Sequence, residues 1–298
     1  MHIPLENRGL IKVDGIDARD FLQGLVSQDI NQVTPSQAVY SALLSPQGKF
    51  LFDFFCFELD GALVLDCEAD RRSDLFKRLS MFKLRSKVEL SDITDDYQVS
   101  AVLIGSNAFG LKGADRGVAK PIGSGIAYTD PRLRAMGCRV ALKKGDKALT
   151  FSGLTTDDFA EYERRRLTLG IADGSRDMSV DKALLLENGF EELNGVCFTK
   201  GCFMGQELTA RTRYRGLVKK RLLPVRIDGT PPPTGSILML GHDEVGEMKS
   251  HMGDIGVALV RVQHLKDGVS FHYGNTTLTP SVPDWVVLQK PKEDLDPR

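Results

Sequence analysis

The sequence predicts an α+β fold with a separate all-β module at its C-terminal end, and three observations carry that prediction. Up to about residue 220, strand-like runs joined by tight turns mix with amphipathic helical stretches, without the repeating strand–helix–strand units of a doubly wound sheet. From Leu222 onward, short apolar runs are separated by Thr230-Pro231-Pro232-Pro233 and by glycines at 235, 241, 246, 253 and 256, the pattern of a small barrel or sandwich. With 298 residues the chain is long enough for two domains or three small ones.

Local chemistry justifies each element in turn. Asp17 stands where it can cap a helix over residues 18–27, with Phe21, Leu22, Leu25 and Val26 as one apolar stripe. Residues 40–44 and 50–58 read as strands joined by Ser45-Pro46-Gln47-Gly48, where proline second and glycine fourth suit a type I turn. The stretch 51–57 is nearly continuous in apolar residues, as a strand covered on both faces requires. Asp60-Gly61 predicts a hairpin turn into a strand over 62–67. Residues 70–85 read as a helix whose inner face is Leu75, Phe76, Leu79 and Phe82. A strand over 97–105, a glycine-rich loop over 107–125 and short strands over 140–142 and 148–151 follow. Thr155 and Asp158 fit a capping box for a helix that runs to about Leu169.

Bulk composition excludes several classes. Hydrophobic residues make up 42% and charged residues 27%, as in soluble globular proteins. Forty acidic side chains against 39 basic ones give no overall drive toward nucleic acid or membrane. No apolar run approaches the roughly 18 residues a spanning helix needs. Five cysteines, an odd and sparse set, favour a reducing compartment. The first residues have no apolar core and are acidic and poor in serine, so the expected location is the bacterial cytoplasm.

The densest chemistry lies in Lys200-Gly201-Cys202-Phe203-Met204-Gly205-Gln206-Glu207. The run 206–211 predicts a helix with an acid early and bases late, matching the helix dipole. A thiol near such a helix start and near a lysine ionises more readily, while flanking glycines permit close approach. The plain alternative is that Cys202 is a small buried residue in a turn, the usual fate of a free cysteine. A basic run over 211–221, holding Arg211, Arg213, Arg215, Lys219, Lys220 and Arg221, reads either as a solvated helix end or as a site for anionic groups. Histidines and cysteines show no ligand spacing, so no resident metal is expected.

The octapeptide 200–207 resembles the Lys-Gly-Cys-aromatic-X-Gly-Gln-Glu signature of the YgfZ-type folate-binding proteins, relatives of the glycine-cleavage T-protein, an aminomethyltransferase. The resemblance extends over 162–226, through Glu187-Asn188 and Gly195-Val196, with weaker echoes in Phe21-Leu22-Gln23-Gly24, Asp29 and Ser45-Pro46-Gln47-Gly48-Lys49. It implies ferredoxin-like N-terminal units of the aminomethyltransferase folate-binding type and a C-terminal β-barrel. The implied folate-binding region is 1–220, in two subdomains (about 1–45 with 130–220, and 46–129), followed by the barrel at 221–298. It further implies tetrahydrofolate or a derivative as cofactor, and iron–sulfur assembly proteins or cluster-containing clients as partners, with no role for nucleic acid or membrane.

On that reading Cys202 and Lys200 carry the chemistry, Lys200 raising the thiolate character of Cys202. Gln206, Glu207, Arg211, Arg213, Glu187, Gln23 and Asp29 contact or orient the folate. The implied function is an accessory factor in iron–sulfur cluster assembly or repair. The alternative is a folate-dependent one-carbon transferase, which two departures from the T-protein pattern weaken. Thr168 replaces the folate-binding acid in Arg166-Leu167-Thr168-Leu169-Gly170. Asp66-Cys67-Glu68-Ala69 stands in place of the Asn-Ala-X-Asn pattern that precedes the catalytic aspartate, with Asp74 near the right distance only if a residue is inserted.

Overall fold

The structure is a computed structural model that describes residues 2–103, 109–111, 113–151, 155–216 and 218–288. The chain forms two compact units, the first comprising Met1–Ser45, Leu51–Glu163 and Leu193–Met204, the second Pro46–Phe50, Arg164–Glu192 and Gly205–Arg298.

The first unit contains β1 (Ile3–Pro4), β2 (Arg8–Asp14), α1 (Ala18–Gln23), β3 (Val39–Leu44), β4 (Phe50–Leu59), β5 (Ala62–Glu68), α2 (Arg72–Lys83), β6 (Glu89–Asp92), β7 (Tyr97–Val102), β8 (Ala119–Ile122), β9 (Gly125–Thr129), β10 (Cys138–Lys143), α3 (Ala148–Phe151) and the start of α4 (Phe159–Leu169). Two five-stranded sheets result, ordered β3-β4-β5-β2-β6 and β1-β7-β10-β9-β8. Asp60 and Gly61 both take positive φ, so the β4–β5 hairpin closes with the primed turn that matches strand twist, Leu59 opposite Ala62. Phe21, Leu22, Leu75 and Leu79 of α1 and α2 bury against Phe54 and Leu65 of the first sheet. Each leucine fully buried there contributes roughly 1.5–3 kcal/mol.

Local contacts correct several sequence expectations. Helix α1 stops at Gln23, because the following residues turn to serve other segments: Ser27 Oγ accepts from Ala42 N–H and donates to the Gly195 carbonyl. The Asp17 side chain makes no cap and instead accepts from the Lys87 backbone N–H at 2.7 Å. The glycine-rich stretch contains β8, paired with β9 through Ala119 and Tyr128, while its beginning lies outside the described residues. The strand predicted over 97–105 ends at Val102, and residues 104 and 105 lie outside the described set. Residues 148–151 are helical, since the Asp146 carboxylate accepts from Ala148 N–H at 2.7 Å and caps the turn. Asp158 caps α4 by accepting from Ala160 N–H, while Thr155 gives its carbonyl to His2.

A buried layer of charge and aromatic rings joins the two sheets of this unit. Asp66 on β5 accepts from Arg8 of β2 at 2.6 Å and from Arg139 of β10 at 2.7 Å. The guanidinium of Arg139 lies 4.0 Å and that of Arg132 4.8 Å from the Phe55 ring centroid, and Arg132 pairs with Asp130 at 2.8 Å. Burial alone would raise the Asp66 carboxyl, but Arg139 and Arg8 hold it below its ordinary value. This mutual satisfaction is what lets three arginines stay inside.

The second unit contains the rest of α4, α5 (Gly174–Asp177), α6 (Gln206–Tyr214), β11 (Lys220–Asp228), β12 (Ile237–Leu240), β13 (Asp243–Met252), β14 (Ile255–Arg261), β15 (Phe271–Tyr273) and β16 (Thr276–Pro280). The six strands close into a barrel in the order β11-β14-β13-β12-β15-β16, deciding between barrel and sandwich. Val225, Leu238, Met248, Val260, Phe271 and Leu278 fill it. Arg166 ties α4 to the barrel through Asp177 at 2.7 Å and Ser250 Oγ at 2.6 Å.

Candidate functional site

Residues 195–204 form an irregular loop pinned to the turn that follows α1. Cys197 N–H donates to the Ser27 carbonyl at 2.9 Å, and Met204 N–H to the Gly24 carbonyl at 3.1 Å. Between these anchors, Lys200 Nζ donates to the carbonyls of Val26 and Gln28, each at 2.7 Å. Gln23 completes the brace: its Nε2 donates to Asp29 at 2.9 Å and reaches the Lys200 carbonyl at 3.5 Å, and its Oε1 accepts from Ile30 N–H at 2.8 Å. Three of the sequence-predicted residues, Gln23, Asp29 and Lys200, thus meet in one clasp.

Cys202 lies between the Lys200 and Met204 anchors and is exposed, so the buried-turn alternative does not hold. Cys56, Cys67 and Cys138 are buried, and burial pushes the first two thiols up to about 12 and the third to about 11. Burial lowers the Lys200 ammonium to about 8, against the attraction of Asp29 and Cys197. The amine faces the backbone carbonyls of Val26 and Gln28.

The remaining predicted residues belong to the second unit. Gly205 takes a left-handed conformation (φ 77°) immediately before α6, and Gln206 and Glu207 open that helix. Gly48, also at positive φ, packs here: a Cβ on it would meet the Gly205 carbonyl oxygen and Leu208 Cβ, both at 2.7 Å. Glu207 and Arg211 are exposed, whereas Arg213 pairs with Glu191 at 2.6 Å and lies 5.3 Å from the Tyr214 ring. Arg221 is buried, donating to Glu192 at 2.7 Å and to the Leu186 carbonyl at 2.9 Å. The basic run is thus partly structural. Glu187 sits half-buried in a 3-10 turn (Leu186–Asn188), where burial raises its carboxyl although Lys220, Lys49 and Lys249 act against it. Thr168 is exposed and donates to the Arg164 carbonyl. Among the described residues, no group of three or more His, Cys, Asp or Glu could hold a metal ion.

Sequence reasoning missed the Arg8–Asp66–Arg139 layer. Its signal was present as charged residues with apolar neighbours on both sides within a strand, Asp66 in β5 and Arg139 in β10.

This fold is that of the aminomethyltransferases. Glycine cleavage system aminomethyltransferase T from Bartonella henselae superposes with a TM-score of 0.75, covering 97% of this chain and 86% of that one, at 16% identity. Residues 219–288 match the family model described as "CAF17, C-terminal beta-barrel domain". Human "Iron-sulfur cluster assembly factor IBA57, mitochondrial" is 32% identical over 94% of this chain and 84% of its own length. The homologue of that name from Pyricularia oryzae is 31% identical over 98% of this chain and 79% of its own. The chain belongs to the IBA57 family of iron–sulfur cluster assembly factors. The bacterial cytoplasmic placement is overturned, because these relatives are named as mitochondrial proteins. A leader that is not seen in the first residues was too thin a basis for a compartment.

Proposed function

We propose that this chain is a tetrahydrofolate-binding accessory factor of iron–sulfur cluster assembly or repair, of YgfZ type, with Cys202 as its reactive group. The observation that carries the reading is the clasped loop, which presents one exposed thiol while Lys200, Gln23 and Asp29 hold its backbone. In this reading those three residues position Cys202 rather than contact a ligand, since their polar atoms are engaged with one another and with carbonyls. The cluster or its components are cargo that Cys202 meets with ligands from a partner.

On this reading the folate is met by residues of the second unit. Burial raises the Glu187 carboxyl, a group able to bond a pterin edge, and the lysines acting on it suit an anionic ligand. Gln206, Glu207 and Arg211 at and near the start of α6 complete the candidate set, with Arg213 held by Glu191. The transferase alternative has less support because Thr168, at the place of the folate-binding acid, offers a hydroxyl that donates to the Arg164 carbonyl.

Two measurements test the halves separately. Anaerobic calorimetry with tetrahydrofolate on the wild type, Cys202→Ala and Glu187→Gln should show binding by the first two and weaker binding by the third. Heat-silent wild type removes the folate half. In cells whose own copy is replaced, Cys202→Ala should lower the activity of cluster-containing enzymes, and full activity removes the thiol half.

A further inference from the structure

The first unit carries an apolar, cationic projection that no step above uses. Residues 77–87 include Lys77, Arg78, Lys83, Arg85 and Lys87 and no acid, although the chain as a whole is nearly neutral. Within this stretch Met81 is 67% and Leu84 87% exposed. Ile16, 85% exposed, belongs to the same place. Its neighbour Asp17 accepts from Lys87 N–H at 2.7 Å, and a Cβ on Gly15 would lie 2.2 Å from the Lys87 carbonyl.

The backbone is strained to make this projection. Ser86 N–H donates to the Lys83 carbonyl at 2.8 Å, closing a turn whose first central residue is Leu84 at φ 41°, ψ −108°. Those angles are close to a type II′ turn, where glycine is the residue without penalty. A leucine there carries steric strain and still leaves its side chain in water. Strain combined with exposure is a cost that folding alone does not explain.

We propose that this projection docks the protein onto an anionic phospholipid surface. The three apolar side chains stand out from the unit, so they suit a fluid interface that closes around them. Lysines and arginines flanking them can lay their stems along the acyl boundary and reach headgroup phosphates. Each cation near an anionic leaflet strengthens such binding by roughly fivefold. No spanning helix is involved: among the described residues no helix is long and apolar enough to cross a membrane. The Ile16 segment adds Asp14, Asp17 and Asp20, with Asp14 paired to Lys12 and Asp17 accepting from Lys87 N–H, and the five cations of 77–87 outnumber these acids.

The test is co-sedimentation of the full chain with vesicles of phosphatidylcholine, with and without phosphatidylglycerol. The expected result is pelleting with the anionic vesicles alone, reversed by added salt. Leu84→Gly supplies the decisive comparison. It relieves the turn, so the melting temperature should rise or hold, while the vesicle partition coefficient falls roughly tenfold. Met81→Ser and Ile16→Ser should lower partition in the same direction. Absence of binding to anionic vesicles, or partition unchanged in a folded Leu84→Gly, overturns the proposal. An acidic protein partner would then be the occupant to seek.

Discussion

Gly48 and Gly205 touch backbone to backbone: a Cβ on Gly48 would stand 2.7 Å from the Gly205 carbonyl oxygen. The turn between β3 and β4 is therefore fitted to the residue that opens α6. Gly48→Ala should destabilise the protein by about 1–3 kcal/mol from its left-handed φ alone, with the clash adding to that. Gly145→Ala serves as control, since Gly145 also has positive φ but no neighbour within 4 Å of a built Cβ. Thermal melts should show the larger drop for Gly48→Ala, and equal drops would refute the contact.

The Asp66 triad predicts a second asymmetry. Asp66→Asn leaves Arg8 and Arg139 buried without their countercharge, a loss of about 3–5 kcal/mol. Asp14→Asn, which breaks the partly exposed pair with Lys12, should cost under about 1 kcal/mol. Urea denaturation of the two variants measures both, and comparable losses would contradict the buried geometry.

Lys200 sets a pH dependence with a definite sign. Its folded value is about 8 against 10.5 for an ordinary lysine, lowered by burial, so between those pH values the unfolded chain holds the extra proton. The stability of the wild type relative to Lys200→Met should be level below about pH 8 and rise from there toward 10.5. A difference that falls across that window would reject the assignment.

Thiol reactivity should be ordered by exposure. Iodoacetamide at neutral pH should label Cys202 first and partly exposed Cys197 more slowly, sparing Cys56, Cys67 and Cys138 until the chain unfolds. Peptide mass spectrometry against time reads the order. Early labelling of any of the three buried thiols would count against the structure.

The legible parts of the molecule were those written in local residue choice. Asp60-Gly61 announced its hairpin, and glycines at 235, 241 and 253 marked turns of the barrel, because positive φ requires such residues. The octapeptide located the exposed thiol. Long-range partners were not legible: Asp66 and Arg139 lie 73 residues apart, and neither strand names the other. The Lys200 acceptors were invisible for a different reason, since a backbone carbonyl has no residue identity to read. Residues 148–151 looked like a strand until Asp146 supplied a cap, a case of one hydrogen bond outweighing propensity.

The anchors at Cys197 and Met204 also bear on how tightly a partner can hold Cys202. Ordering a free loop on association costs about 1–2 kcal/mol for each residue fixed. Here the segment is already immobilised by folding, so a ligand or protein that engages the thiol forgoes little chain entropy. Cutting one anchor, as in Lys200→Met, should therefore weaken association even where every contact to the partner survives. On the proposed reading, in which a partner engages Cys202, the clasp would serve affinity as much as geometry.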